Sequence, residues 1–298
     1  MSLIVIGSVA LDSVETPHGL REEILGGSAS YFSTVAAYFT QVKLVAVVGE
    51  DFPAEHVEFL KSRGVDLEGL RHSQGRTFRW KGRYGENLNE AQTLDTQLNV
   101  FEQFNPELPV SYRDARYVFL ANIDPELQTK VLDQVQAPEF VACDTMNYWI
   151  TGKPDALRKI LERVDCLIIN DGEARQLSGE TNISRAARKI RAMGPGQVVI
   201  KRGEYGALVF GDEVFAVPAF PLEEVKDPTG AGDSFAGGFM GFLAETGRKD
   251  HEGVRSAAVM GSVTASFAVE DFSLDSLRRL TRPDIDARFE AFRRLVYF

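Results

Sequence analysis

The feature that most constrains this chain is the recurrence of short β-rich apolar runs, each followed by a stretch with apolar residues at helical spacing. The runs are Leu3–Ile6, Lys43–Val48, Tyr117–Leu120, Phe140–Cys143, Cys166–Ile169 and Val198–Lys201. Between them lie Ser28–Phe39, Pro53–Arg63, Pro125–Val135, Asp155–Val164 and Ser184–Met193. Strands that are apolar on both faces and joined by helices belong to a sheet covered on both sides. The pattern therefore predicts an α/β fold, with a doubly wound, mostly parallel sheet flanked by helices, in a chain long enough for one large domain or two moderate ones. From Gly230 onward strands give way to helices, expected at Asp233–Ala244, Val254–Ala268 and Ile285–Val296, after a short β-pair at Ala207–Val217.

One segment breaks this rhythm. In Arg76–Tyr84, Phe78, Trp80 and Tyr84 fall on one face of an extended chain and Arg79, Lys81 and Arg83 on the other. Thr93–Phe101 alternates again, with Leu94, Leu98 and Val100 together. Two half-exposed strands predict either a small β-flap on the main domain or an ordinary edge hairpin.

Charge narrows the partners. A formal net charge of −10 lacks the basic face that nucleic-acid binding requires, while a local site for an anionic nucleotide stays compatible with it. Cys143 and Cys166 sit in apolar runs without metal-ligand spacing, so both read as core residues of a protein in a reducing compartment. The run Leu3–Ala10 lacks a basic leader and meets Asp12 too soon for a signal peptide or a membrane span. A cytoplasmic protein that does not enter a membrane is the expectation.

The chemistry concentrates in Asp227-Pro-Thr-Gly-Ala-Gly-Asp-Ser-Phe-Ala-Gly-Gly238. Gly230, Ala231 and Gly232 stand before an apolar helix, where small side chains let backbone amides converge and the helix start favours an anion. Asp233 falls in the first turn, placed to accept a proton from an attacking hydroxyl or to serve only as a partner of the helix dipole. A Gly-x4-Gly-Lys-Ser/Thr loop is absent, and Phe235 spoils a dinucleotide fingerprint. Gly232-Asp-Ser234-Phe-Ala236 approaches a hydrolase nucleophile elbow, yet only His251 follows it as a base.

Asp227 through Met240 resembles the second signature of the PfkB, or ribokinase-like, carbohydrate kinases. The resemblance extends along the chain in order: Gly7–Asp12 is similar to the family's first strand and hydroxyl-binding aspartate, Gly26-Gly27 to its double glycine, and Asn170–Glu173 to its Asn-x-x-Glu motif. It implies a single ribokinase-like α/β domain over 1–298 whose flap is a lid, with lid strands at approximately 10–20 and 72–104 inserted in it. It implies ATP as phosphoryl donor, Asp233 as catalytic base, and the amides of Gly230, Ala231 and Gly232 as an anion hole. Asp12, Gly26 and Gly27 would bind the acceptor. Asn170 and Glu173 would organise Mg²⁺ through water, where the residues alone read as a strand-end cap and a helix-start acid. Asp227 and Thr229 match positions that hold a monovalent cation, usually K⁺, and equally could just shape the turn. Lys201 or Arg202, ending the strand before Gly203, would reach the nucleotide phosphates or be a solvated strand end, with Lys201 and Gly203 taken as the nucleotide-binding pair.

Two departures bear on the acceptor. Tyr31 stands where the family usually has an asparagine after the double glycine, and Ala10 replaces an asparagine frequent in ribokinase, which argues against ribose. Tyr31, Phe78 and Trp80 could instead form an aromatic wall for a nucleobase or a sugar face. The expectation is an ATP-dependent kinase acting on a hydroxymethyl group of a small sugar or sugar derivative. The alternatives are a nucleoside kinase of the same fold, a non-catalytic metabolite-binding protein, and, last, a serine hydrolase using Ser234. The lid is compatible with a homodimer and equally with a monomer.

Overall fold

The computed structural model describes residues 2–296, so Met1, Tyr297 and Phe298 of the expected 1–298 domain lie outside the described residues. The strands are β1 Ser2–Ile6, β2 Ala10–Thr16, β3 Gly19–Gly26, β4 Gln41–Gly49, β5 Asp66–Ser73, β6 Phe78–Tyr84, β7 Ala91–Gln97, β8 Tyr117–Leu120, β9 Phe140–Cys143, β10 Cys166–Asn170, β11 Gln197–Lys201, β12 Ala207–Phe210 and β13 Val214–Val217. The helices are α1 Ser28–Ala36, α2 Ala54–Ser62, α3 Pro125–Leu132, α4 Asn147–Gly152, α5 Pro154–Leu161, α6 Asp171–Ser178, α7 Ile183–Arg191, α8 Ala231–Thr246, α9 His251–Ala268, α10 Asp275–Arg279 and α11 Arg282–Val296.

Alternation within β1 explains the layers. Leu3 and Val5 join a core with Phe32 and Val35 of α1, Phe239 of α8 and Val263 of α9. Ile4 and Ile6 point the other way, into a second core with Val131 of α3, Leu157 of α5 and Ile190 of α7. Each large aliphatic or aromatic side chain removed from water contributes about 1.5–3 kcal/mol, so both faces of the sheet need their helices. The result is a 9-stranded sheet in the order β13-β12-β11-β10-β9-β8-β1-β4-β5, parallel from β11 to β5, with β12 and β13 added antiparallel at one edge. This is the doubly wound, mostly parallel α/β sheet that the sequence predicts.

Because β1 and β8 to β11 run the same way, their carboxyl ends line one edge, where open α/β sheets bind ligands. Helix α8 is aimed at that edge. Gly237, Gly238 and Gly241 let it pack directly on α1 and α9, since a Cβ at Gly237 would come within 2.7 Å of the Phe32 carbonyl oxygen. A glycine inside a helix costs about 0.5–1 kcal/mol in propensity, which this close packing offsets.

A separate 4-stranded sheet, in the order β3-β2-β6-β7, forms the lid. β2 and β6 run parallel, with Asp12 registered against Trp80. Two strands were not read from the sequence. β3 continues to Gly26, beyond the expected 10–20 stretch, and its exposed polar residues hide the strand signal. β5 is an edge strand of the main sheet whose sequence Asp-Leu-Glu-Gly-Leu-Arg-His-Ser lacks an apolar run. The expected Thr93–Phe101 strand is shorter: β7 ends at Gln97, and Asn99–Gln103 forms a 3₁₀ turn. Asn99 takes a φ of 51°, breaking the extended chain, and its side-chain amide donates to the Thr77 carbonyl at 2.9 Å. Leu98 and Val100 therefore leave the strand that the alternation assigned them. Among the described residues no helix is long and apolar enough to cross a membrane.

Candidate active site

The glycine-rich turn leads into α8 as its sequence requires. Gly230 is the N-cap, in the left-handed region at φ 75°, and a Cβ there would also overlap the ring of buried Tyr31. Only glycine meets both demands. The Ala231 N–H is engaged by the Pro228 carbonyl at 3.2 Å, whereas the N–H groups of Gly230 and Gly232 bond to no acceptor among the described residues. Of the three expected anion-hole amides, two are thus unengaged at the helix start.

Asp233 lines the same space from the first turn of α8. Burial, then the charge of Asp144, pushes its carboxyl up to about 7, against the pull of Lys201. Lys201 ends β11, and its Nζ lies 2.8 Å from where a Cβ on Gly232 would stand. Burial works against the Lys201 charge, but Asp144, Glu173 and Asp233 outweigh it and hold the ammonium protonated. Lys201 is thus gathered against the glycine-rich turn.

Asp144 was missed in the sequence. It immediately follows β9, is 6% exposed, and places Oδ2 3.8 Å from the Lys201 Nζ. Burial raises its carboxyl, with Lys201 and the Thr145 N–H opposing. The signal was available: Asp144, Asn170 and Lys201 all stand at the carboxyl ends of neighbouring parallel strands.

Asn170 and Glu173 form a reciprocal capping box at the start of α6, each backbone N–H donating to the other's side chain at 2.8 Å. That is the structural role their positions suggested. Glu173 does more: burial first, then Asp144, pushes it up to about 7, and it feels Lys201 and Asp233 as well. Asp144, Glu173 and Asp233 therefore surround one ammonium, an excess of negative charge.

On the other side of Asp233, Asp12 projects from β2 and is 5% exposed. Its Oδ2 accepts the Gly27 N–H at 3.3 Å, while Oδ1 is buried without a partner. Burial, opposed by that hydrogen bond and joined by Asp227 and Asp233, raises its carboxyl to about 7. Gly26 pairs with Ala10 in the lid, and a Cβ on it would collide with the Asp12 carboxylate. Tyr31 is buried at 1% exposure, and its hydroxyl ionises well above its usual value through burial and the charges of Asp227, Asp12 and Asp233. It packs into the core and lies against Gly230.

Asp227 is fully buried and spends its carboxylate on the turn, accepting the Thr229 N–H at 2.9 Å and the Ser273 N–H at 3.1 Å. Phe78 packs on Phe101 with ring centroids 5.5 Å apart. Trp80 covers Gly82 and donates its indole N–H to Thr93 at 3.2 Å, on the face of the lid that carries Asp12. Gly203 (φ 55°) turns the chain after β11 beneath Asn89 of the lid hairpin, whose Oδ1 receives the Glu204 N–H at 3.3 Å. Neither Tyr84, which bonds Thr229 from the lid, nor Asn89 was singled out as a site residue from the sequence.

The hydrolase arrangement is not formed. Ser234 is fully buried, and His251 pairs with Glu213 beside Phe140 and Gln197, the amino ends of the strands that carry Asp144 and Lys201 at their other ends.

Comparison with known proteins identifies the family. The family model for pfkB family carbohydrate kinases matches residues 4–277. A cytidine kinase of Thermococcus kodakarensis is 33% identical over 246 residues, covering 80% of this chain and 87% of that protein. Among solved structures, the nucleoside kinase of Methanocaldococcus jannaschii, described as an archaeal member of the ribokinase family, superposes with a TM-score of 0.76 at 20% identity, covering 97% of this chain and 98% of its own. The Burkholderia thailandensis nucleoside kinase in complex with inosine gives a TM-score of 0.77 at 20% identity over 97% of this chain and 98% of its own.

Proposed function

Because the chain belongs to the pfkB family of carbohydrate kinases, we propose that it transfers the γ-phosphoryl group of ATP to the hydroxymethyl group of a nucleoside, with Asp233 as general base. That it is a phosphotransferase acting on an alcohol group follows from the family and from its cytidine kinase relative. The observation that carries the mechanism is the gathering at one helix start of Asp233, with its carboxyl near 7, both unengaged amides and Lys201.

A base with that affinity is matched to neutral pH. As the acceptor oxygen bonds to the γ-phosphorus, its proton passes to Asp233, and the bond from that phosphorus to the β–γ bridging oxygen breaks to release ADP. Charge developing on the phosphoryl oxygens meets the amides of Gly230 and Gly232 and the Lys201 ammonium. Asp12 holds acceptor hydroxyls through the oxygen left unpaired by Gly27. The lid excludes water, which otherwise competes for the phosphoryl group.

Asn170 and Glu173 fit a magnesium ion held through its water shell. No group of three carboxylate, histidine or cysteine side chains among the described residues is built to grip a metal directly, yet three carboxylates crowd Lys201. The ion would neutralise phosphate oxygens. Each Asp227 oxygen takes one backbone N–H, so its carboxylate shapes the turn that carries Thr229 and Gly230.

A nucleoside is favoured over the small sugar expected from sequence because the cytidine kinase is the 33% identical relative, and because Ala10 and Tyr31 remove amides suited to a free sugar. A coupled ADP-release panel tests this, with ATP and Mg²⁺, with and without K⁺, across cytidine, inosine, ribose and sugar acids. Turnover of a nucleoside above the sugars is expected. Turnover of sugars alone returns the acceptor to the sugar class, and no turnover at all favours a metabolite-binding protein.

A further inference from the structure

Tyr84 closes strand β6 and reaches from the lid to the body, where its hydroxyl and that of Thr229 lie 3.3 Å apart. It is only partly exposed, although it stands at the end of a lid strand whose neighbours Arg83 and Gly85 face solvent. Burial pushes its ionisation up to about 12, the Thr229 bond acts the other way, and the charges of Asp227, Asp12 and Asp233 add to the rise. The phenol is therefore neutral at working pH and lies in the field of both the acceptor-side carboxylate and the base.

A phenol has one donor and two acceptor positions, and Thr229 uses one of them. Among the described residues the Tyr84 hydroxyl makes no other hydrogen bond. Asp12 Oδ1 is also buried without a partner. Two polar groups, one on β2 and one at the end of the adjacent strand β6, thus keep hydrogen-bonding capacity toward the space beside Asp233. An orphaned buried oxygen such as Asp12 Oδ1 is costly unless a bound molecule satisfies it.

We propose that the Tyr84 hydroxyl hydrogen-bonds a ring hydroxyl of the acceptor, so that lid closure orients the reacting hydroxymethyl group at Asp233. The assignment rests on the nucleoside kinase reading. It makes the lid a source of acceptor specificity as well as a cover, because the contact forms only while Tyr84 is docked on Thr229. It also selects acceptors whose ring keeps a hydroxyl at the contacted position.

The test is a cycle on enzyme and substrate. Tyr84→Phe keeps the ring and removes one oxygen, and its kcat/KM is measured on cytidine, or on inosine if the panel selects it, and on the 2′-deoxy and 3′-deoxy forms. On the full nucleoside the variant should lose about 3- to 10-fold, the worth of one neutral hydrogen bond, with KM for ATP unchanged. Wild type should lose a similar factor on one deoxy form, and the variant should lose nothing further on that form. An equal loss on all three acceptors, or no loss on any, makes Tyr84 a strut between lid and body and overturns the inference while the kinase reading stands. Should Tyr84→Phe unfold early, Tyr84→Gln, which restores a polar end group, is expected to recover discrimination between the full and deoxy forms, and its failure to do so counts against the contact. Wild type inactive on every nucleoside would remove the nucleoside reading and this inference with it.

Discussion

Replacing Asp233 by asparagine should stabilise the free protein at neutral pH while removing its activity. The Asp233 carboxyl is raised from 3.8 to about 7 in the folded state, chiefly by burial. Between those values the folded protein holds a proton that the unfolded chain has released, so stability falls as pH rises toward 7 and the penalty stays in full above it. A shift of about three units corresponds to about 4 kcal/mol at 1.36 kcal/mol per unit. Asp233 keeps some exposure to the cleft, which halves the figure to about 2 kcal/mol, or about 4 °C in Tm for a chain of this size. The attraction of Lys201 is already contained in it. Asparagine is close in shape and cannot ionise, so it escapes the penalty. Thermal and urea melts followed by circular dichroism at pH 4.5, 6 and 8 are the assay. The variant should match wild type at pH 4.5 and exceed it at pH 8. A variant less stable at pH 8, or one offset by the same amount at every pH, would refute the argument that burial strains this carboxylate.

The raised carboxyls of Asp12 and Asp233 also set the pH dependence of the reaction: kcat/KM should fall by about tenfold or more per unit below pH 7, and a rate flat down to pH 5 would contradict a base near 7. Lys201→Met should lower kcat by about 10²–10³, since it removes a donor to the transferring phosphoryl group, and a loss under fivefold in single-turnover assays would make Lys201 a strand-end charge only. Asp144→Asn should raise KM for ATP several-fold with a smaller effect on kcat, as Lys201 loses its nearest carboxylate, and isothermal titration of the nucleotide checks it. Gly230→Ala meets both the left-handed φ and the Tyr31 ring and should cost about 2–4 kcal/mol in urea melts, where a cost below 1 kcal/mol would count against that contact.

The central strands were legible because each is buried on both faces and so reads as an apolar run; β1, β8, β9, β10 and β11 all lie within a residue of the expected spans. β5 escaped because Asp66, Glu68 and Arg71-His-Ser73 leave it neither an apolar run nor an alternation, and β3 because its outer face is charged. In the site, residues carried by a local motif were the readable ones: Gly230, Gly232 and Asp233 sit on one turn, and Asn170 and Glu173 on one cap. Asp144 and Tyr84 are brought in by sheet register and lid docking, long-range contacts without a local pattern. Tyr31 was read from its place in a motif, but its packing against Gly230 depends on α1 meeting α8.

The claim on which the rest depends is that Asp233 takes the acceptor proton during phosphoryl transfer. The direct measurement is kcat for the Asp233→Asn variant with a nucleoside acceptor that wild type phosphorylates, alongside its affinity for ATP. The account predicts a fall in kcat of about 10²–10⁴ with ATP affinity within about threefold of wild type. A kcat within tenfold of wild type at unchanged affinity would contradict it.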